Sequence, residues 1–404
     1  MEMNRIEKVQ EYLTKEDKDA WIMVDYENHN ATMVSFLGRK MLTRKIFLVI
    51  PKTGRPYLIT HGIDTVFLSD EQTRKGFDLK VYQTWKEMLS LEKESFSSYR
   101  DVLMDVSENG LLPRVSLADH GSVEFIRSLG IHVSSSADIM QLFSAVYDEK
   151  AYQSQLDACK KTLMIKNEAF ALIRKDVEEI GYSDEYRIQK FICDRFHEEG
   201  MIYDDPAIVA VSKNASNPHY GPSKDVHSKI QKGDVVLIDM WAQNAYKEIN
   251  NDVYADITWM GYVGEVVPDE VEARFQILRK AVDEAFAFLK ENLSKRRVEG
   301  YEVDDVARGI VNAAGYGQFF THRTGHNIAV DVSPHGPGVN IDNYESHDTR
   351  AIIPHISFSL EPGIYAPDFG MRSETDVYID ENYVPHMVAG RQEHVIAIMK
   401  KNGL

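Results

Sequence analysis

Cysteine is scarce in this sequence, because the 404 residues include only two, Cys159 and Cys193. The two lie 34 residues apart, and neither belongs to a Cys-x-x-Cys pair. Disulfide frameworks and thiolate metal sites both need more cysteines at closer spacing. The sequence therefore argues against both kinds of site, and we expect a protein of a reducing compartment.

Long apolar runs are also missing. The N-terminal segment, residues 1–18, mixes acidic and basic side chains, and a run such as Ile46–Ile50 is only long enough for a strand. A secretory signal needs an apolar segment, and a membrane helix needs about 20 apolar residues. We therefore expect a soluble, cytoplasmic protein with no signal peptide and no membrane partner.

Positive charge is in deficit. The 46 Lys and Arg residues face 63 Asp and Glu residues, so the formal net charge is −17 at pH 7. Nucleic acids are bound by basic surfaces, and this balance excludes them as the main partner. What the sequence does contain, 43% hydrophobic residues and 4 Trp, is typical of a packed globular protein.

The length and the apolar pattern predict two domains, residues 1–147 and 148–404. The first is predicted to be a small α/β domain with a helix near Val123–Leu129 and no catalytic cluster. Its five predicted strands are short: Trp21–Val24, Ile46–Ile50, Tyr57–Thr60, Val115–Ala118 and Ile131–Val133. A Gly-Arg-Pro turn between the second and third strands predicts a hairpin.

The second domain is predicted to be α+β, with antiparallel hairpins and helices outside them. Helical spacing of apolar residues begins near Tyr152, Tyr186 and Val271, and a shorter helix from Asp304 should end at Gly315. Five strands are predicted between and after these helices: Val235–Trp241, Tyr254–Val263, Ile356–Tyr365, Glu374–Ile379 and His394–Met399.

Four carboxylates lie on or beside these apolar strands. Asp239 and Asp256 flank a hairpin centred on Lys247–Glu248, so symmetric pairing would place them directly opposite each other. Glu361 and Glu374 flank a second turn in the same way. Buried carboxylates that face each other repel, and a pair of divalent cations would remove that cost. Each acid taken singly is more simply interpreted as exposed, capping or salt-bridged, but four in two hairpins favour a metal site.

Histidines occupy turn-rich segments near these strands. His322 and His326 follow a predicted helix end, and Arg323 excludes the helical His-Glu-x-x-His pattern of zinc proteases. His335 lies in Ser-Pro-His-Gly-Pro and His219 in Asn-Pro-His-Tyr-Gly-Pro. A lone histidine is usually structural, whereas these segments are suited to the wall of a pocket.

These residues resemble those of the M24 "pita-bread" metallopeptidases, a family that includes Xaa-Pro aminopeptidase, prolidase, methionine aminopeptidase and the metal-free creatinase. Five metal-ligand types occur in that family's order: Asp239, Asp256, His326, Glu361 and Glu374. The surrounding strings Asp-Ile-Thr, Gly-His, Glu-Pro-Gly-Ile-Tyr and Arg-Ser-Glu are similar to the family's. The resemblance covers most of the chain and implies a creatinase/prolidase-like N-terminal domain followed by a pita-bread catalytic domain.

The resemblance also implies a role for each ligand. Asp256 and Glu374 would bridge two metals, Asp239 would complete the coordination of one, and His326 and Glu361 that of the other. The interval from Asp239 to Asp256 is longer than the family's, which a longer hairpin turn accommodates.

Four further residues are implied on the substrate side: His219, His322 and His335, with Arg372 beside them. The interval from His326 to His335 is also longer than is usual in the family. Of these four residues, His335 therefore matches the family's pattern least closely.

Four carboxylates and one imidazole form an oxygen-rich set, for which we expect manganese first, with Co, Fe(II) and Zn as alternatives. The predicted reaction is hydrolysis of the N-terminal Xaa-Pro bond of peptides or dipeptides by metal-bound hydroxide, with Glu361 moving the proton. His219 or His335 would stabilise the oxyanion, and His322 with Tyr220 would hold the proline ring. A small peptide is the expected partner, and the resemblance implies a homodimer.

Two other hypotheses remain open at this stage. An enzyme on the same scaffold could act on another small substrate, as a creatinase-like hydrolase or a lyase, and the two lengthened intervals are where a changed pocket would show. The presence of all five ligands weakens the creatinase reading. A non-catalytic binding module would have lost ligands and gained a basic surface, and the sequence has neither feature.

Overall fold

The computed structural model describes residues 2–245, 252–330 and 334–400. The chain divides into two compact units, Met1–Ser144 and Ala145–Leu404. The division expected from the sequence, between residues 147 and 148, lies three residues later in the chain.

The first unit is built on a six-stranded mixed sheet. Its strands are β1 (Ala20–Asp25), β2 (Ile46–Pro51), β3 (Tyr57–His61), β4 (Asp78–Tyr82), β5 (Asp101–Met104) and β6 (His132–Ser135). They lie in the order β4-β3-β2-β1-β5-β6, and β1 pairs antiparallel with β2 and parallel with β5. Helices pack on this sheet: α1 (Glu2–Lys15), α2 (Ala31–Leu37), α3 (Glu71–Gly76), α4 (Trp85–Phe96), α5 (His120–Ser128) and α6 (Ala137–Ser144), with 3-10 turns at Gly62–Leu68 and Glu108–Gly110.

The predicted strand Val115–Ala118 is wrong. This segment is irregular, and the N–H groups of Leu117 and Ala118 both donate to the carbonyl of Asp105, just after β5. The strand between β1 and β6 in the sheet is β5. The sequence pattern missed this strand because its four residues begin on the charged Asp101. The hairpin predicted around the Gly-Arg-Pro turn is confirmed as β2 and β3.

The second unit has four long helices: α7 (Glu149–Ile180), α8 (Glu185–Glu198), α9 (Asp269–Asn292) and α10 (Gly300–Ala313). Helix α7 begins at an N-cap in which Asp148 accepts from the N–H of Ala151, and it ends at Gly181, whose φ of 87° suits a residue without a side chain. The helix predicted to begin at Asp304 begins earlier, at Gly300, and Gly315 follows its end.

The described part of the second unit contains thirteen strands, and all but two of them have five residues or fewer. They are β7 (Ser183–Asp184), β8 (Met201–Ile202), β9 (Ile208–Val211), β10 (Lys229–Ile230), β11 (Val235–Asn244), β12 (Tyr254–Tyr262), β13 (Asn327–Ile328), β14 (Ser357–Leu360), β15 (Gly363–Tyr365), β16 (Gly370–Arg372), β17 (Thr375–Ile379), β18 (Pro385–Met387) and β19 (Ile396–Ala397), with 3-10 turns at Ser212–Ser216 and Gly317–Phe319. Strands β11 and β12 form the centre of a five-stranded sheet, and β13-β14-β17-β18 form a second sheet. The predicted α+β class is confirmed.

The two faces of the β11–β12 hairpin bury different cores. Val236 and Ile238 belong to the core that contains the buried side chains of α7 and α8. Val235 and Leu237 belong to the core that contains those of α9 and α10. Because side chains alternate along a strand, Asp239 continues the second of these faces beyond Leu237.

The register of this hairpin differs from the prediction. Asp239 pairs with Thr258, and Asp256 pairs with Trp241, so the two carboxylates are diagonal neighbours on one face. The predicted centre, Lys247–Glu248, lies outside the described residues. The diagonal avoids the repulsion of two acids placed directly across a ladder.

The second pair of acids has the predicted register. Leu360 pairs with Thr375 and Gly363 with Arg372, so Glu361 and Glu374 stand opposite each other between those pairs. The single strand predicted over Ile356–Tyr365 is interrupted here, because Pro362 has no N–H to donate to a ladder. Both glutamates are therefore held between short strands and not within one.

None of the helices in the described ranges combines the length and the apolar character needed to cross a membrane.

Candidate metal centre

A cavity of about 160 Å³ lies in the second unit against the face of the β11–β12 hairpin that bears Asp239 and Asp256. All five predicted metal ligands line it, as do three of the four residues expected on the substrate side. The full lining consists of Asp204, Asp205, Ile208, Pro218, His219, Asp239, Trp241, Asp256, His326, Pro334, His335, Glu361, Arg372 and Glu374.

Three of the predicted ligands form one compact group. Single ligand atoms of Asp256, His326 and Glu374 all lie within 4.8 Å of one another, and all three side chains are buried. The Nε2 atom of His326 is 3.5 Å from Oδ2 of Asp256 and 3.4 Å from Oε1 of Glu361. These separations exceed ordinary hydrogen bonds, so the donor atoms face each other without bonding directly.

Ser359 orients two of the ligands from behind. Its hydroxyl accepts the backbone N–H of His326 at 3.0 Å and lies 3.1 Å from Oε1 of Glu361, to which it donates. The Nδ1 atom of His326 lies 3.3 Å from the carbonyl of Asn327. A carbonyl only accepts, so Nδ1 carries the proton and Nε2 presents its lone pair to the cavity.

Arg372 links two further predicted ligands, Asp239 and Glu374. Its guanidinium donates from Nη2 to Asp239 and from Nε to the hydroxyl of Thr258 at 2.8 Å. Thr258 in turn donates to Oε2 of Glu374 at 2.6 Å. One buried cation therefore fixes the orientation of two carboxylates, one of them through a hydroxyl.

The electrostatics of the cluster favour a bound cation. Burial raises the pKa of Asp239, and burial together with the charges of neighbouring acids raises the pKa values of Asp256 and Glu374 well above their usual range. For Glu361 burial also acts upward, but the positive charges that His326 and His322 carry when protonated, together with that of Arg372, leave its pKa lowered.

The donor set fits divalent metal ions. Burial lowers the pKa of His326, so its imidazole is neutral, the form that binds metals. Within the described part of the chain, Arg372 is the only permanent cation among the residues that line the cavity. Four carboxylates and one imidazole with so little compensating charge are the ligands expected of hard or borderline divalent cations.

Metal binding to this cluster should strengthen as the pH rises. The raised pKa values mean that Asp256 and Glu374 keep protons at pH values where free carboxyl groups, with pKa near 4, are already ionised, and a cation must displace those protons. The metal-free native state then binds more protons than the unfolded chain, so it loses stability as the pH rises above about 4. We expect Mn²⁺ to raise Tm more at about pH 8 than at about pH 5.5. An equal rise at both pH values in a thermal-shift titration would contradict this.

The histidines expected on the substrate side fall into two groups. His219 and His335 are exposed at the cavity, and the ring of His335 lies 4.2 Å from that of His326 between centroids. His322 is not among the lining residues, and its Nε2 meets the hydroxyl of Tyr365 at 2.6 Å. Burial lowers the pKa of His322 to about 4, so this imidazole is neutral.

Three lining residues with polar side-chain atoms were not expected from the sequence: Asp204, Asp205 and Trp241. The indole Nε1–H of Trp241 donates to Oδ1 of Asp204 at 2.7 Å. Trp241 follows Asp239 by two positions on its strand, so the period of two already placed both side chains on one face. Asp204 and Asp205 follow β8 in an irregular segment, where no periodic pattern indicates a direction.

Comparison with protein families gives one match, a model described as metallopeptidase family M24, which covers residues 155–381. The curated relatives include an Xaa-Pro dipeptidase of Lactobacillus helveticus, 30% identical over 182 residues. That alignment covers 44% of this chain and 43% of the relative, so the chain spans less than half the length of this relative.

Solved structures share the fold. Dipeptidase PepE from Mycobacterium ulcerans superposes with a TM-score of 0.63 at 19% identity, over 98% of this chain and 97% of that one. An X-prolyl aminopeptidase from Caenorhabditis elegans, described as a cytosolic enzyme with a di-nuclear active site, superposes with a TM-score of 0.60 at 15% identity, over 99% of this chain and 63% of that one. The family resemblance and the fold class predicted from the sequence are confirmed.

Proposed function

The chain belongs to metallopeptidase family M24, and we propose that it is a dinuclear metal-dependent exopeptidase that hydrolyses the N-terminal Xaa-Pro bond of peptides or dipeptides. The observation that carries the proposal is the convergence of three buried carboxylates, the half-buried Glu361 and one neutral imidazole on a single cavity. The Xaa-Pro specificity is supported by the relatives, which are named for that activity.

We propose Asp256 and Glu374 as ligands shared by two metals, Asp239 as a further ligand of one, and His326 and Glu361 as ligands of the other. Manganese is the ion proposed first, with Co, Fe(II) and Zn as alternatives. Divalent ions held by these five residues would supply Lewis acidity, which would polarise the scissile carbonyl and lower the pKa of a water molecule.

The protein's own groups then move and hold protons. Glu361 has a lowered pKa, so it is ionised and able to take a proton and return it to the leaving nitrogen. We propose that His219 and His335, whose exposed imidazoles line the cavity, donate hydrogen bonds to the carbonyl oxygen of the substrate. Arg372 keeps Asp239 in place, and His322 is proposed to contribute to the proline subsite through Tyr365.

The negative charge of the cavity wall is complementary to the positively charged N-terminus of a peptide. The lining contains six carboxylates, namely the four ligands with Asp204 and Asp205, against the single guanidinium of Arg372. Two divalent ions and that guanidinium offset five charges, which leaves one net negative charge. A peptide α-ammonium is attracted by such a surface, which supports an exopeptidase that binds a free N-terminus.

The location of the enzyme is proposed from the scarcity of cysteine and of long apolar runs, and its oligomeric state from the family resemblance. We propose that it acts in the cytoplasm as a homodimer, with a small peptide as its partner.

The test is a metal-dependence assay on matched peptides. Protein stripped with a chelator should hydrolyse Xaa-Pro peptides at about 1% or less of the initial rate, and Mn²⁺ or Co²⁺ should restore the rate. Xaa-Ala peptides and peptides with an acetylated N-terminus serve as controls and should be poor substrates. Full activity of the stripped protein would contradict the proposal, and turnover confined to guanidino or quaternary ammonium compounds would favour the alternative of a changed pocket.

A further inference from the structure

The carboxylate of Glu185 is fully buried and has no ion-pair partner among the described residues. Glu185 is the first residue of α8, outside the cavity lining. A buried carboxylate without a cation needs hydrogen-bond donors, because its desolvation is otherwise costly. Four hydrogen-bond donors surround this carboxylate, and they show which segment of the chain it fixes in position.

All four donors belong to one stretch of chain, from the end of β9 to the start of β10. Oε1 accepts from the N–H of Val211 at 2.8 Å and from the side-chain amide of Asn214 at 2.9 Å. Oε2 accepts from the hydroxyl of Tyr220 and from the N–H of Ser228, both at 2.6 Å. The carboxylate therefore holds both ends and the middle of the loop 212–228.

This loop carries His219 into the cavity. The imidazole of His219 is exposed, and among the described residues nothing bonds to the ring itself. Its backbone N–H donates to Asn217, and its neighbour Tyr220 is bonded to Glu185. The position of the imidazole therefore depends on the loop.

The opposite side of the loop packs on the hairpin that bears Arg372. The hydroxyl of Ser216 donates to the carbonyl of Ala366 at 2.5 Å. A Cβ at Gly370 would lie 1.9 Å from the carbonyl oxygen of Ala215, so only glycine permits this approach. With Glu185 on one side and this hairpin on the other, the loop has one defined position beside the metal ligands.

We propose that Glu185 is a positioning residue, whose buried carboxylate places His219 for its contact with the substrate. The proposal rests on the function proposed above, in which His219 donates to the substrate carbonyl.

The test is a double-mutant cycle between Glu185 and His219. In Glu185→Gln one carboxylate oxygen becomes an NH₂ group, which cannot accept, so two of the four donors lose their acceptor. We expect kcat to fall about 10²-fold with KM little changed, a loss similar to that of His219→Ala. In the His219→Ala background the same substitution should have an effect smaller than about 2-fold. Multiplicative losses would overturn the proposal, since general destabilisation lowers the activity of both backgrounds alike.

Amide hydrogen exchange gives a readout that does not depend on activity. Exchange in residues 212–228 should be faster in Glu185→Gln, and unchanged in the control Gln189→Ala. Gln189 is buried one turn later on α8 and donates to Ala207, outside the loop. Unchanged loop exchange in the Glu185 variant would overturn the proposal even if the wild-type protein proved not to cleave Xaa-Pro bonds.

A milder variant keeps the test decisive if Glu185→Gln does not fold. Tyr220→Phe removes only the hydroxyl that donates to Oε2 of Glu185. Its loss of kcat should be smaller, about 3-fold to 10-fold, and should vanish in the His219→Ala background. An equal loss in both backgrounds would overturn the proposal.

Discussion

Asp256→Asn should remove bound metal and activity together. Asp256 lies within 4.8 Å of both His326 and Glu374 at their ligand atoms, and its carboxylate is the proposed shared ligand. The neutral amide binds divalent cations more weakly, so we expect fewer than the proposed two ions per chain and a loss of about 10³-fold in kcat/KM. Glu374→Gln should give the same result. Metal analysis of the purified variants and peptide hydrolysis provide the two measurements.

Asp204→Asn is the matched control for these variants. It makes the same chemical change at a carboxylate that lines the same cavity but lies outside the proposed ligand set. Its metal content should equal that of the wild-type protein. Unchanged metal content in both the Asp256 and the Glu374 variants would refute the assignment of the site.

Arg372→Met should destabilise the metal-free protein by about 3–5 kcal/mol, the cost of leaving a buried charge without its partner. Both Arg372 and Asp239 are buried, and the guanidinium is the cation that offsets the charge of Asp239. Denaturant unfolding of metal-free and Mn²⁺-loaded protein measures the effect. Metal should recover part of the loss, because it offsets the same carboxylates.

Two comparisons distinguish the cost of leaving a buried charge unpaired from the cost of losing any ion pair. Arg391→Met breaks a pair with Asp283 whose side chains are 42% and 40% exposed, and we expect a cost below about 1 kcal/mol. Asp239→Asn added to Arg372→Met should restore stability to the metal-free protein, because the unpaired charge is then gone. If Arg372→Met lowered the free energy of unfolding no more than Arg391→Met does, the unpaired buried charge would not be the cause of the destabilisation.

The four acids among the proposed ligands carry local signals in the sequence. Asp239 and Asp256 interrupt strongly apolar strands, and a buried strand tolerates an acid only where something compensates it. The predicted register of Glu361 and Glu374 also holds, since their turn is short and symmetric. The register of Asp239 and Asp256 was wrong, because the turn between them is long and does not specify pairing.

The residues that support the ligands could not be predicted in the same way. Ser359, Thr258 and Tyr365 are ordinary strand residues in the sequence, and only their distances to ligands reveal what they do. His322 carries the same sequence signal as His326 but bonds to Tyr365 and does not line the cavity. Contacts between segments far apart in the chain leave no periodic pattern.

By itself, the sequence determined the α+β class and the face of the strand on which Asp239 lies. These follow from hydrophobic periodicity and turn chemistry, which act between residues close together in the chain. The proposed set of five ligands rests in addition on the family resemblance. Only the tertiary structure decided that His326 meets Asp256 and Glu361, and that Glu185 holds the loop of His219. Those contacts join residues 26 to 70 positions apart in the chain, and packing alone sets the distances between them.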